Sequence, residues 1–387
     1  MTGGRRIKNL VCRAYTRLYG HFHPIEKKIL FSSFGGQQYS DNPRAISEAV
    51  HRRYPEYRLV WQLRDAGDAY GLRPDYVQLV PEGRFSFYRE LATSFCYVTN
   101  ECVTANFFKR EGQFFVNTWH GDRGFKRVVY EEFPDEAEAF DVDGRLTDLC
   151  VAGSDYGEQT FRTAFRYGGE VLKVGTPRDD RLVHPAGEDV LAVRSRFPQL
   201  RGKKILLYAP TFRDDLPVTE KQRPGVELNR ILSILNGQGD AWVCMVRAHS
   251  ASAGIAGISG EGIVDVSAYP DMADLLLICD MLITDYSSSA GDFVLRDRPT
   301  ILAVFDHDAY CKSCRSLKFD LDDSPFLAAR TQQELEAIVR THSAGDYAAN
   351  CAAVRDFYHV RESGEASDAV ADRIHGFYRE NYEADRC

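Results

Sequence analysis

Two histidines and a small set of cationic and hydroxyl side chains stand directly after short apolar runs of this sequence. His120 follows the run 113–117 through Asn117, Thr118 and Trp119, and Arg123, Lys126 and Arg127 come soon after it. His249 follows the run 242–247 in "VRAHS", with Arg247 two residues before it. Imidazole is the side chain best suited to take or give a proton near neutral pH. The cations beside it suit an anionic substrate. Either histidine alone is more often a hydrogen-bonded structural residue; the pair, each at the end of a strand, shifts the balance towards a cleft.

Two further segments fit phosphate. "YAPTFRDD" delivers Thr211 and Arg213 after the run 204–209, and a hydroxyl with a planar guanidinium suits phosphate or carboxylate. The alternative is a turn in which Arg213 pairs with Asp214 or Asp215. "LITDYSSSAGDFVL" sets Asp285, Tyr286, Ser287, Ser288 and Ser289 between a strand and a helical pattern that begins near Ala290. Backbone N–H groups at such a helix start hold anions. One serine could serve as the helix cap, but a cap does not explain three. "VGTPRDD" (174–180) reads mainly as a structural turn. Neither a G-x-x-x-x-G-K-[ST] loop nor a G-x-G-x-x-G after a strand occurs, so ATPase and dinucleotide readings lack their signatures. Cys311 and Cys314 form a lone CxxC without a second ligand pair, so no metal site is expected.

The elements that must position these residues alternate in a regular way. Strands are predicted at 28–34, 57–62, 75–80, 95–99, 113–117, 149–152 and 171–174. A second series lies at 204–209, 242–247, 263–266, 281–284 and 300–304. The runs are continuously apolar and separated by helix-length segments, the pattern of parallel sheets covered on both faces. Two series fit two doubly wound domains better than one oversized sheet, and ligands of such sheets bind beyond the carboxyl ends of the strands. The reading is an α/β chain with a basic amphipathic segment at 1–27, domains at 28–197 and 198–347, and closing helices at 348–387. The join falls near 197–203, by Pro198 and Gly202.

The 387 residues carry a net charge of −8, which argues against a general nucleic-acid binder. The ten cysteines are scattered, and the amino end lacks the apolar core of a signal peptide, so reduced thiols in the cytoplasm are expected. No apolar run approaches the ~20 residues that span a bilayer. The first 28 residues hold Arg5, Arg6, Lys8, Arg13, Arg17, Lys27 and Lys28 against one acid, Glu26, with Leu10, Val11, Tyr15, Leu18 and Tyr19 at helical spacing. Such a helix can lie on an anionic membrane surface or pack on its own domain with its cations in water.

Taken together, "KILFSSFGGQQYSDNPRAISEAV", "NTWHGDRGFKRV", "VAGSDYGEQTF", "VGTPRDDRL", "YAPTFRDD", "VRAHS" and "CDMLITDYSSSAGDFVLRDRPTILAVFD", in this order, resemble the CDP-glycerol glycerophosphotransferase family of teichoic-acid primases and polymerases. The resemblance implies a GT-B-like fold, two Rossmann-type domains whose parallel sheets face each other across a cleft, with the nucleotide on the carboxy-terminal domain. It implies transfer of a polyol phosphate from CDP-glycerol, or CDP-ribitol, to a hydroxyl of a lipid-linked glycan or polyol-phosphate acceptor, with release of CMP. His120 is then the base, with His249 the second catalytic histidine, and Thr211, Arg213, Arg247, Asp285, Ser287 and Ser288 hold donor and phosphate; Ser289 and Lys126 join them on the reading of the residues alone. A magnesium ion bridging the pyrophosphate would need no dedicated cage. The implied location is cytoplasmic, peripheral at the inner face of the membrane. Many family members follow WHG with Thr-Pro-Leu-Lys, whereas Asp122, Arg123, Gly124 and Phe125 intervene here before Lys126, so acceptor or donor could differ. The length, close to that of a catalytic unit alone, suits a compact priming-type or capsule-type enzyme. The competing readings are a GT-B glycosyltransferase using a nucleotide sugar and a silent polyol-phosphate-binding scaffold of wall assembly.

Overall fold

The structure is a computed structural model that describes residues 3–64, 70–81, 83, 85–103, 105–136, 144–211, 225–248, 260–313 and 316–383. Its described residues form two compact units. The first holds the chain up to Asp122, Val129–Asp180 and the chain from Arg361 onward; the second holds Arg123–Val128 and Arg181–Val360. The division thus falls at Asp180, ahead of the Pro198 region. The closing helices part company: Ala344–Tyr358 belongs to the second unit and Ala366–Tyr378 to the first.

The first unit is built on a seven-stranded parallel sheet of β1 (Glu26–Ser32), β2 (Arg58–Gln62), β3 (Gln78–Leu79), β4 (Ser94–Thr99), β5 (Phe114–Asn117), β6 (Leu149–Ala152) and β7 (Glu170–Lys173), in the order β3-β2-β1-β4-β5-β6-β7. Every residue of β4, β5 and β6 is buried. That is why these strands read as unbroken apolar runs: both faces are covered. The order reverses direction between β1 and β4, leaving a crevice at their carboxyl ends.

The second unit repeats the plan with six parallel strands: β8 (Lys204–Ala209), β9 (Trp242–Val246), β10 (Ile263–Asp265), β11 (Met281–Thr284), β12 (Thr300–Ala303) and β13 (Leu327–Ala329), in the order β10-β9-β8-β11-β12-β13. Its reversal lies between β8 and β11. The strand β13 has no counterpart among the expected strands, because "LAA" is too short and too weakly β-forming to show as one. It pairs with β12 through Leu327, Ala328 and Ala329.

Each unit closes on a buried polar anchor beside His120 in the sequence. The Asp122 carboxylate accepts hydrogen bonds from the Gly153 N–H (2.9 Å) and the Ser154 hydroxyl (2.6 Å) at the start of the helix Asp155–Thr163. A Cβ on Gly157 would stand 1.7 Å from that carboxylate, so only glycine fits. Arg123 is fully buried in the second unit, where Nε donates to the Gly291 carbonyl (2.9 Å) and Nη2 to Asp292 (2.8 Å). The following residues extend along 316–318: Arg127 N–H donates to Ser316 O, Lys318 N–H to Phe125 O, and Phe125 rests 5.0 Å from the Phe326 ring. The residues that depart from the family pattern are therefore engaged in packing.

Removing one partner of a buried ion pair leaves the other charge uncompensated. Arg123→Met is expected to destabilise the chain by about 3–5 kcal/mol in chemical denaturation, and Arg123→Met with Asp292→Leu to recover most of that loss. Equal loss in the single and double variants would show that the pair is not what holds this segment.

Candidate active site

In the first unit the site is built around the crevice of β1, β4 and β5. β4 ends at Thr99, and the next residue, Asn100, is fully buried: its side chain accepts from Phe34 N–H (2.9 Å) and donates to the Ser33 hydroxyl (3.3 Å). Its backbone carbonyl is thereby fixed, and His120 Nδ1 lies 2.7 Å from it. A carbonyl only accepts, so Nδ1 carries the proton and the neutral ring keeps its lone pair on Nε2. The histidine is set as a proton acceptor.

The turn that delivers His120 is constrained at each residue. Thr118 N–H donates to Thr99 O (2.9 Å) and Trp119 N–H to the buried Asn117 side chain (2.8 Å). Trp119 has a φ of +48°, a conformation that costs a non-glycine residue about 1–3 kcal/mol and needs support from its surroundings. Asn42 supplies it: its Nδ2 donates to the Trp119 carbonyl (3.0 Å) while its Oδ1 accepts from Arg178 N–H (3.0 Å). Trp119 and Phe34 flank the imidazole with ring centroids 4.1 and 5.4 Å away.

Withdrawal from water in this setting lowers the basicity of His120 below its ordinary value. The hydrogen bond to Asn100 and the charge of Asp41 oppose that effect, and the Arg178 cation adds to it. Arg178 is buried, with Nη1 3.5 Å from Asp41. "VGTPRDD" forms a 3-10 turn at Pro177–Asp179, in keeping with its sequence, and Asn42, which no motif marks, ties that turn to the segment carrying the histidine. Asn42 left a faint trace in "SDNPRA", where an asparagine opens a helix directly after the first strand's loop.

In the second unit the strand-end residues gather at the reversal of β8 and β11. The buried Asp285 carboxylate accepts from Thr211 N–H (2.7 Å) and from Tyr286 N–H (2.8 Å), and the Thr284 hydroxyl donates to Ala209 O (2.6 Å). Thr211 and Asp285, 74 residues apart, are thus one structure. Asp285 is in the first place the tie between two strand ends. Ser287 and Ser289 hydroxyls are 2.9 Å apart, and Ser289 N–H donates to Ser287 Oγ (3.3 Å). Ser288 makes no side-chain cap. The helix is shorter than its pattern suggests, Ser289–Phe293, and passes into a 3-10 turn at Val294–Arg296. Its dipole is correspondingly small, so an anion here would be met chiefly by the serine hydroxyls and the local N–H groups.

Tyr286 carries the site outward. Its buried ring stacks on Tyr310 at 3.8 Å, and Lys126 Nζ stands 6.0 Å from the Tyr310 centroid. Arg247 follows β9, its N–H donating to Tyr208 O (2.9 Å) and its Nη2 to Pro270 O (3.1 Å). His249 and Arg213 lie outside the described residues. Among the described residues no group of three or more His, Cys, Asp or Glu is placed to hold a metal ion.

Comparison with known proteins agrees with this architecture. The chain is 28% identical over 402 residues to a teichoic acid poly(glycerol phosphate) polymerase of Staphylococcus epidermidis, covering 96% of this chain and 54% of that protein. A teichoic acid glycerol-phosphate transferase of Staphylococcus aureus is 27% identical over 77% of this chain and 79% of its own length. The chain spans about half the length of the first of these relatives. Among solved structures, the wall teichoic acid polymerase TagF superimposes with a TM-score of 0.83 at 27% identity over 97% of each chain. A histidine-to-asparagine variant of that polymerase, with CDPG, aligns equally well. The fold is the expected GT-B-like one of two Rossmann-type parallel sheets. The family model for CDP-glycerol:poly(glycerophosphate) glycerophosphotransferases matches residues 15–376, and the chain belongs to that family.

Proposed function

We propose that this chain transfers glycerol phosphate from CDP-glycerol to a hydroxyl of a lipid-linked acceptor in teichoic-acid or capsule-type polymer synthesis, releasing CMP. The observation that carries the reading is the 2.7 Å contact of His120 Nδ1 with the Asn100 carbonyl, which leaves Nε2 as an acceptor. Family membership and the relatives that act with glycerol phosphate support the choice of donor and polymer. Among the described residues no helix is long and apolar enough to cross a membrane. The acceptor's lipid would bring the enzyme to the cytoplasmic surface of a bilayer.

In this reading the acceptor hydroxyl gives its proton to His120 Nε2 as its oxygen attacks the β-phosphorus. The bond from that phosphorus to the oxygen of CMP breaks, and CMP leaves with the electron pair. The imidazolium that forms is steadied by the Asn100 carbonyl and by the charge of Asp41. Phosphoryl transfer depends on positioning and charge stabilisation more than on covalent catalysis. The hydroxyls of Ser287 and Ser289 and the Thr211 strand end are where the leaving α-phosphate would gain charge-stabilising contacts. Arg213, Arg247 and His249 stand where the family pattern has them and would hold the donor pyrophosphate, with Lys126 a further cation for it.

A positioned general base contributes about 10²–10⁴-fold. His120→Ala is therefore expected to cut kcat by at least about 10²-fold while calorimetric affinity for CDP-glycerol stays within a factor of about two. Loss of donor affinity with an unchanged kcat would make His120 a binding residue.

The pH dependence has a definite sign. Only the neutral imidazole accepts a proton, and His120 titrates below its ordinary value. Activity should stand at its plateau at pH 7 and fall as the pH drops into the region below ~6.5. Arg178→Gln removes a cation that lowers this pKa and should move the acid limb of kcat/KM upward in pH. Asp41→Asn should move it downward. A limb that ignores both substitutions belongs to another group.

Asn42→Ala removes the support of the strained Trp119 carbonyl. Misplacing a reacting group by about 1 Å costs as much as 10²-fold, so kcat should fall by about 10-fold or more while KM for the donor is held. Unchanged kcat in a folded variant would remove Asn42 from the account.

A further inference from the structure

Three neighbouring strands of the first unit end beside the loop that flanks His120, and two charged side chains there have no part in the mechanism above. β1 ends at Ser32, and Phe34, Gly35 and Gly36 follow it with φ of +47°, +60° and +86°. Phe34 needs support in that conformation; the Asn100 side chain gives it by accepting the Phe34 N–H (2.9 Å). Gly36 O accepts from the N–H of Arg64 (2.6 Å), which stands two residues past β2. Glu101 stands two residues past β4, its N–H donating to the Thr99 hydroxyl (3.3 Å). The strand order β2-β1-β4 thus delivers Arg64, Gly35 and Glu101 to one stretch of the carboxyl edge, where ligands of such sheets bind.

Gly35 brings the two charges to a common space. A Cβ on it would stand 3.2 Å from Glu101 Oε2 and 3.6 Å from Arg64 Nη2. Glycine leaves that space open, and its left-handed φ disfavours any larger residue. Arg64 is exposed and Glu101 half-buried. Among the described residues they form no ion pair, with each other or with a third group. The base is close by: the Phe34 ring lies 5.4 Å from that of His120. Against the burial that lowers the basicity of His120, Glu101 is one of the charges that raise it.

A carboxylate accepts the hydrogen bond of a hydroxyl, and a guanidinium matches the oxygens of a phosphate. One polyol phosphate unit carries both groups a few bonds apart, whereas an uncharged sugar end would leave Arg64 unused. We propose that Glu101 and Arg64 select the acceptor: Glu101 receives the hydroxyl next to the attacking one, and Arg64 the phosphate on the same polyol unit. The attacking hydroxyl itself is left for His120 Nε2. The assignment rests on the transferase reading and adds to it which residues choose the acceptor, and by which of its groups.

The test gives the full chain CDP-glycerol and a lipid-linked disaccharide that ends either in its own sugar or in one glycerol phosphate. The wild type should use the phosphate-bearing acceptor with a kcat/KM about tenfold higher or more. Arg64→Gln should remove this preference by raising KM for the phosphate-bearing acceptor alone, and Arg64→Lys should keep part of it. Glu101→Gln should raise KM for the same acceptor about tenfold but not for its deoxy analogue, which lacks the neighbouring hydroxyl. KM for CDP-glycerol should hold in all three variants, a pattern that a general loss of structure does not produce. Calorimetry with glycerophosphoglycerol, in the presence of saturating CMP, reads the site without turnover, and Arg64→Gln should lower that affinity about tenfold. Absence of the preference in the wild type, equal losses with both acceptors in Arg64→Gln, a raised KM for CDP-glycerol, or glycerophosphoglycerol binding that ignores Arg64 each overturns the proposal. No CMP release by the wild type with either acceptor, while glycerophosphoglycerol binding still depends on Arg64, would count against the transferase reading alone.

Discussion

A single hydrogen bond between the ends of two neighbouring strands gives the first unit its chemical character. Asn100 follows β4 and His120 follows β5, and parallel pairing of these strands brings Asn100 O to 2.7 Å from His120 Nδ1. The bond selects the tautomer, orients the ring and leaves Nε2 as the acceptor. Everything around it serves to keep those two loops still. Asn100 is tied to Ser33 and Phe34, and Trp119 is held in a left-handed conformation by Asn42. Asn42 also carries the backbone of Arg178, so three separate strand-end loops share one buried amide.

The second unit solves the same problem with a carboxylate. Asp285 accepts N–H groups from both sides of the β8–β11 reversal, and this fixes Thr211 against the serine-rich turn. Buried Arg123 then holds the helix behind that turn through Gly291 and Asp292. A buried ion pair of this kind adds little net stability relative to apolar packing, but it punishes any arrangement that separates its partners. The units share a topology and differ in the anchor: a neutral amide network supports His120, and an ionic one supports the serine-rich turn.

Much of this was legible in the sequence because parallel sheets leave a strong imprint. Strands buried on both faces appear as continuous apolar runs, and the residues just beyond them can be picked out from the sequence; the structure places His120, Thr211 and Asp285 just past strand ends, as that pattern implies. What stayed hidden has a physical reason in each case. β13 is three residues of weak propensity that become a strand only by pairing with β12. Asn42 acts through contacts 77 and 136 residues away in the chain, which no local pattern records. Arg178 stands in a 3-10 turn at Pro177–Asp179, as its sequence suggests, but its charge acting on His120 spans 58 residues and leaves no local pattern. The helical pattern after Ser289 promised a longer helix than the chain forms, since Val294–Arg296 tightens into a 3-10 turn that ends at Asp297 with a φ of +50°.

The amino-terminal helix shows the opposite case, in which composition was plain and orientation was not. Its periodicity was evident from residues 10–19, yet only the structure reveals that Cys12, Thr16 and Gly20 face inward and the leucines outward. Small residues allow close approach of the helix to its own unit, and the apolar stripe is left for something else.

The central claim is that this chain moves a glycerol phosphate from a cytidine-activated donor to a lipid-linked hydroxyl. The most direct measurement is to incubate the wild-type chain with CDP-glycerol and a synthetic lipid-linked disaccharide, quantifying CMP and the mass of the lipid product together. The account predicts one CMP released for each glycerol phosphate gained by the acceptor. Release of CMP without any mass gain, or mass gain from a nucleotide sugar with release of a nucleoside diphosphate, would contradict it.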